Sequence, residues 1–156
     1  MNEMPNTNQG YSSDSKTKLN GDTEVAKKIL VVDDDAAIQR LYSAVLETEG
    51  YEVQVADDGA HGLKMVYQER PDLIISDLDM PRMNGYEFCK IVRLMDEIPI
   101  LMISGSGQQV EKMLIVKLLG NSIEGFLAKP IDMSDLLQRV AAALEKDRSE
   151  GVTASY

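Results

Sequence analysis

Five short apolar runs, at residues 29–32, 52–56, 73–76, 100–103 and 125–128, alternate with five stretches whose apolar residues recur at helical spacing. Runs of this length, apolar almost throughout, suit strands covered on both faces, and strands separated by helices pair in parallel. The intervening stretches carry the second period. Ile38, Leu41, Tyr42, Val45 and Leu46 form one stripe, and Gly50 ends that helix. Leu63, Val66 and Tyr67 mark a second helix that must stop before Pro71. Phe88, Val92 and Met95 mark a third, and Val110, Met113, Leu114 and the 116–119 run a fourth. Leu136, Leu137, Val140, Ala141 and Leu144 mark a fifth, with Asp132 or Ser134 as its cap. Such a chain is restricted to the α/β class: a doubly wound five-stranded parallel sheet built from right-handed crossovers.

The strand ends carry the chemistry. Asp33 and Asp34 follow the first run, Asp77 the third, Ser104 the fourth and Lys129 the fifth. In an open parallel sheet the carboxyl ends of the strands share one edge, where ligands bind. That edge therefore gathers three carboxylates, a hydroxyl and an ammonium. Two carboxylates about 4 Å apart repel by roughly 4 kcal/mol at the effective dielectric of a surface pocket, so a cation is required. Mg²⁺ suits such a set, because it takes one or two carboxylates, waters and a phosphate oxygen. Lys129 adds a second positive charge, Ser104 a neutral donor, and a carboxylate can attack phosphorus. Asp77, central in the sheet, is the candidate nucleophile.

A chain of 156 residues, 44% hydrophobic, can bury one core. The expected organisation is a disordered polar tail over 1–26, one folded domain over 27–147 and a flexible tail over 148–156. The net charge of -10 argues against nucleic acid or an anionic membrane surface as a direct partner, since both are bound through clustered Lys and Arg. No apolar run is long enough to span a bilayer, no basic start precedes an apolar stretch, and the single Cys89 has no disulfide partner in the chain, so the expected location is cytoplasmic.

Four ordered motifs, Val31-Val32-Asp33-Asp34, Asp77-x-x-Met80-Pro81-x-Met83-Asn84-Gly85, Ile103-Ser104-Gly105 and Phe126-x-x-Lys129-Pro130, resemble those of response-regulator receiver domains of two-component signalling. The resemblance implies a flavodoxin-like sheet of strand order 2-1-3-4-5 with five helices. It also implies that Asp77 is the phosphoacceptor, and that Asp33, Asp34, Asp77 and the Asp79 backbone carbonyl hold Mg²⁺. Lys129 would bind the phosphoryl group, Ser104 and Phe126 would act as the switch pair, and the Lys129-Pro130 bond would be cis. A sensor histidine kinase or histidine phosphotransfer protein would donate the phosphoryl group. Small phosphodonors would also serve in Mg²⁺-dependent self-phosphorylation, followed by autodephosphorylation. A downstream protein, or a second copy in a phosphorylation-dependent homodimer, would read the face formed by the fourth helix, fifth strand and fifth helix.

Some features depart from the usual pattern: Ser104 stands where Thr is commoner, the Ser104-Gly105-Ser106-Gly107 loop is permissive, and the segment from Gly120 to Gly125 is about two residues longer than usual. Two other functions fit parts of the chain. A receiver fold could serve as a constitutive binding module, and 73–79 also resembles the Asp-x-Asp motif of haloacid dehalogenase phosphatases, although the acidic pair here lies upstream. Asp35 is read as a helix cap, His61 as a surface residue, Cys89 as a packed thiol and the nine Met residues mainly as core.

Overall fold

The computed structural model describes residues 24–105, 107, 109–120 and 123–153. Apart from residues 24–26, which carry no regular structure, the tail expected over 1–26 lies outside them, as does Ser106. The described chain alternates strictly: β1 (Lys28–Val32), α1 (Ala36–Thr48), β2 (Glu52–Ala56), α2 (Gly59–Gln68), β3 (Leu73–Asp77), α3 (Gly85–Met95), β4 (Ile100–Ser104), α4 (Gln109–Leu119), β5 (Ile123–Ala128) and α5 (Met133–Thr153). All strand pairs are parallel, in the order β2-β1-β3-β4-β5. β3 and β4 are buried along their whole length, and β1 is buried after its first residue.

Alternation along the strands divides the interior into two layers. Leu30, Val32, Ile74, Ile100 and Met102 face Val66 of α2, Phe88, Cys89 and Val92 of α3, and Ile115 and Leu119 of α4. Ile29, Val31, Leu73, Ile75, Leu101 and Ile103 face Tyr42 and Leu46 of α1 and Leu136, Val140, Ala143 and Leu144 of α5. Each fully buried aliphatic side chain contributes about 1.5–3 kcal/mol of transfer free energy, so the central strands anchor the sheet edge where the polar residues gather.

Local signals set the helix ends. Asp35 caps α1 by accepting from the N–H groups of Ala37 and Ile38. Gly50, at φ 91°, takes the left-handed conformation after α1, and its N–H donates to the carbonyl of Glu47. Asn84 and Glu87 cap α3 reciprocally. Of the two residues expected to cap α5, Asp132 does so, accepting from the N–H groups of Ser134 and Asp135, while Ser134 lies inside the helix.

The sequence expectations need correction in four places. β3 and β4 include Asp77 and Ser104, which pair within the ladders rather than standing beyond them. β5 begins at Ile123, two residues before the expected start, and its register with β4 shifts so that Glu124 is an extra residue. That bulge takes up part of the long segment before Phe126. α5 runs past 147 to Thr153, through part of the expected tail, with only Arg148 and Glu150 as strong helix formers in that extension; residues 154–156 lie outside the described ones. The apolar stripes are also rotated. In α1 the buried residues are Gln39, Tyr42 and Leu46, while Leu41 is exposed. In α4 Ile115 and Leu119 are buried, whereas Met113, Leu114, Val116 and Leu118 are 49–72% exposed. Apolar residues all round α4 leave the period ambiguous, and only packing against the sheet selects a face.

Candidate functional site

Asp33, Asp34 and Asp77 come together at the carboxyl edge, each offering one oxygen within 4.8 Å of the others. Asp33 follows β1 and Asp77 ends β3, and both are only 2% exposed; Asp34 opens to solvent. From β5 the chain passes directly to Lys129, whose N–H donates to the Ser104 carbonyl and whose Nζ donates to Asp77 Oδ2 at 2.9 Å. The other Asp77 oxygen accepts from the Asp79 N–H at 3.1 Å. Asp79 itself is exposed. The Lys129-Pro130 bond is cis.

The electrostatics follow from burial. Desolvation raises the pKa of Asp33 from 3.8 to about 6; the Asp35 N–H bond opposes this, the Asp77 charge adds to it, Lys129 lowers it again, and Asp34 raises it. Burial likewise pushes the Tyr42 phenol up to about 12, with the Asp33 and Asp77 charges adding to the effect, so the ring behind the site stays neutral. For Lys129 burial favours the uncharged form, but the Asp77 hydrogen bond and the charges of Asp77, Asp33 and Asp34 outweigh it and raise its pKa.

Two observations test whether this group fits a cation and a phosphoryl ligand. Asp33 Oδ2 and Ser104 Oγ are the buried side-chain polar atoms left without a hydrogen-bond partner among the described residues. A buried polar atom without a partner costs about 1–3 kcal/mol, and more when charged. The first is an acceptor within an all-oxygen acidic group, which fits a hard divalent cation such as Mg²⁺. The second is a hydroxyl at the end of β4, which fits a ligand oxygen.

The native chain holds a proton on Asp33 between about pH 4 and pH 6 that the unfolded chain releases, so this group's contribution to stability falls as pH rises through that window and stays low above it. A cation that binds the ionised group must displace that proton. Millimolar Mg²⁺ is therefore expected to raise Tm more at about pH 7.5 than at about pH 5. Calorimetry at the two pH values checks this, and an equal or reversed Mg²⁺ effect would contradict the assignment of Asp33 to the cation site.

Other expected residues stand farther from the acids. Phe126 pairs in register with Met102, packs half-buried against the α2–α3–α4 layer, and has Lys112 Nζ of α4 at 6.0 Å from its ring centroid. It is therefore placed between the sheet and α4. His61 is on the surface at the start of α2, accepting from the Asp57 N–H through Nδ1, and Cys89 is fully buried. Met80 and Met102 are core, whereas Met113 is exposed.

Sequence reasoning missed two contributors. In the sequence Gly85 stands only as the last residue of a motif. A Cβ there would overlap the Asp77 carbonyl oxygen and lie 2.7 Å from Leu78 Cα, so α3 starts against the backbone that carries Asp77. Gln39 was not singled out, although a polar residue three positions before Tyr42 and seven before Leu46 lies on the stripe that packs inward.

The family model for the response regulator receiver domain matches residues 29–141. The DNA-binding response regulator MtrA of Mycolicibacterium paratuberculosis is 35% identical over 124 residues, 80% of this chain and 54% of that one. The probable transcriptional regulator ycf27 of Guillardia theta is 32% identical over 128 residues, 82% of this chain and 49% of that one. The chain thus spans about half the length of these curated relatives. The crystal structure of the chemotaxis protein CheY4 of Vibrio cholerae is similar at a TM-score of 0.70 and 37% identity, covering 77% of this chain and 100% of that one. No helix among the described residues is long and apolar enough to cross a membrane. A sheet of order 2-1-3-4-5, an acidic group at its carboxyl edge and a family model spanning most of the folded part agree: this chain belongs to the response regulator receiver domain family of two-component systems.

Proposed function

We propose that Asp77 accepts a phosphoryl group from a histidine kinase or histidine phosphotransfer protein, and that the modified domain binds a downstream protein through α4, β5 and α5. The observation that carries this reading is the pairing of a buried acidic group with two orphan polar atoms, Asp33 Oδ2 and Ser104 Oγ, around a carboxylate already held by Lys129.

Attack of an Asp77 oxygen on the donor phosphorus forms a P–O bond as the P–N bond of phosphohistidine breaks; its electron pair stays on the imidazole, which takes a proton from solvent. Asp33, Asp34 and Asp77, with the Asp79 carbonyl, would hold Mg²⁺, which when bound offsets charge on the phosphoryl oxygens. Lys129 gives up part of its contact with the Asp77 carboxylate and turns to a phosphoryl oxygen, and the Ser104 hydroxyl donates to another. Water attack at phosphorus later releases phosphate and restores the carboxylate.

Signal transfer rests on neighbours. Ser104 pairs with Ala128, two residues after Phe126, so a shift at Ser104 strains the strand that carries the Phe126 ring beneath Lys112. The apolar residues exposed on α4 suit a protein partner, and the acidic charge of the chain disfavours direct contact with nucleic acid. A cytoplasmic setting belongs to the same proposal.

Lys129→Ala is expected to slow phosphoryl uptake by about 100-fold, as for loss of one donor to a developing charge, and to uncouple uptake from the surface change. Once modified, the variant should lack the amide chemical-shift changes on α4 and β5 that are expected of modified wild type; equal shifts would remove Lys129 from the switch.

The reading is tested by intact-mass spectrometry of wild type with acetyl phosphate. One added phosphoryl mass, dependent on Mg²⁺ and removed by hydroxylamine, is expected. No adduct and no phosphate release would favour a constitutive binding module.

A further inference from the structure

Five polar or charged residues are buried among the described residues: Asp33, Gln39, Ser76, Asp77 and Ser104. Three belong to the site above, and Ser76 donates to the carbonyl of its neighbour Asp77. Gln39, 8% exposed on the inward stripe of α1, has no part in the proposed phosphoryl transfer.

Its carboxamide is committed to one place. Nε2 donates to the Asp33 carbonyl at 2.6 Å and to Asp57 Oδ1 at 2.9 Å, with the Ala56 carbonyl at 3.4 Å. All three neighbours are acceptors, so the NH₂ end must face them. The Asp33 carbonyl belongs to the peptide unit joining Asp33 to Asp34. Its orientation sets where the chain leaves β1 and hence where the Asp34 carboxylate projects. The Asp33 N–H is meanwhile bound to the Ala56 carbonyl at 3.1 Å, and Asp33 Oδ1 accepts from the Asp35 N–H at 2.8 Å. Gln39 thus supplies the remaining fixed point of a two-acid turn whose carboxylates converge on Asp77.

We propose that Gln39 is a positioning residue for the cation site: its amide locks the Asp33–Asp34 peptide plane and so holds the Asp34 carboxylate within reach of Asp33 and Asp77. This rests on the proposed Mg²⁺ site. A free carboxylate at Asp34 would sample several orientations and lose affinity to the entropy of ordering on each binding event. Groups that orient a metal's ligands typically account for 10–100-fold in affinity. The Asp57 contact ties the β2–α2 turn to the same amide but lies beyond the acids, so it is the weaker arm.

The experiment is Mg²⁺ titration by calorimetry, with Mn²⁺ binding by electron paramagnetic resonance where Mg²⁺ binding is weak. Gln39→Leu is expected to weaken binding about tenfold or more in the wild-type background and less than twofold in Asp34→Asn, because there is then no Asp34 charge to position. Asp57→Ala should stay within about twofold of wild type. Equal weakening in both backgrounds, or none in either, would overturn the inference by making Gln39 merely structural or idle. Should Gln39→Leu not fold, the native chain supplies the test: the Gln39 side-chain NH₂ resonances should be protected from exchange and shift in step with the Asp34 amide during Mg²⁺ titration. Rapidly exchanging, unshifted resonances would overturn it. Wild type that binds no Mg²⁺ would remove the cation site itself, and this inference with it.

Discussion

Asp77→Asn is expected to abolish phosphoryl uptake while leaving the fold in place. An amide oxygen is a far weaker nucleophile than a carboxylate, and Asp33 and Asp34, the other acids grouped with it among the described residues, are the proposed cation ligands. The stability effect is a difference of opposed terms. Losing the charge-assisted bond from Lys129 costs about 1.5–3 kcal/mol at most, and less because Lys129 is 41% exposed. Removing one charge from a crowded set relieves repulsion of a few kcal/mol, roughly 4 for a pair at 4 Å. The relief is the larger of the two, so Tm should hold or rise by a few degrees. The Asp33 pKa should fall, since the Asp77 charge is one of the causes that raise it. Uptake at the wild-type rate in this variant would place the acceptor elsewhere. Loss of uptake with loss of the native fold would leave Asp77 as a structural residue.

Gly85→Ala should do the most damage to the architecture of the site for one added methyl group. The atoms in its way are the carbonyl oxygen of Asp77, Leu78 Cα at 2.7 Å and the Asp77 carbonyl carbon at 3.0 Å, all backbone, so no rotamer relieves them. The Gly85 N–H also donates to the Leu78 carbonyl at 2.9 Å, which pins the start of α3 to the end of β3. Overpacking of a yielding core costs about 1–3 kcal/mol; here strand and helix must separate, and the expected loss reaches or exceeds the top of that range. Asp77 and the Asp79 backbone move with them, so phosphoryl uptake should drop by more than about 100-fold, as a misplacement near 1 Å can cause. Gly59→Ala is the control. The nearest atoms there, at 2.7–3.0 Å, belong to the flexible Met83 side chain, and the loss should be clearly smaller. Equal Tm and uptake for wild type and Gly85→Ala would show that the close approach is not needed.

The fold was legible because two periods alternate without interruption and because Gly50, Asp35 and Pro71 punctuate them. The acidic site was legible for a topological reason: Asp33, Asp34, Asp77, Ser104 and Lys129 each follow or end a strand, and parallel pairing sends those ends to one edge, whereas Phe126 lies within β5. Details set by packing were not legible. α4 is apolar on every side, so its sequence could not say that Ile115 and Leu119 point inward while Met113 and Leu118 stay in solvent. The length of α5 is hidden because the chain turns polar after Lys146 as it would at the end of a helix, although no strong breaker intervenes before Gly151. Gln39 was hidden by its type, since a polar side chain on an inward stripe shows its purpose only when the carbonyls it meets are in place.

The central claim, that Asp77 is the acceptor, is tested most directly by chemical trapping. Wild type is phosphorylated with acetyl phosphate and Mg²⁺, reduced with borohydride so that an acyl phosphate becomes an alcohol, and mapped by peptide mass spectrometry. The account predicts homoserine at position 77 and nowhere else. Homoserine in place of Asp33, Asp34 or Asp79 with Asp77 intact, or a phosphoryl adduct that borohydride leaves unchanged, would contradict it.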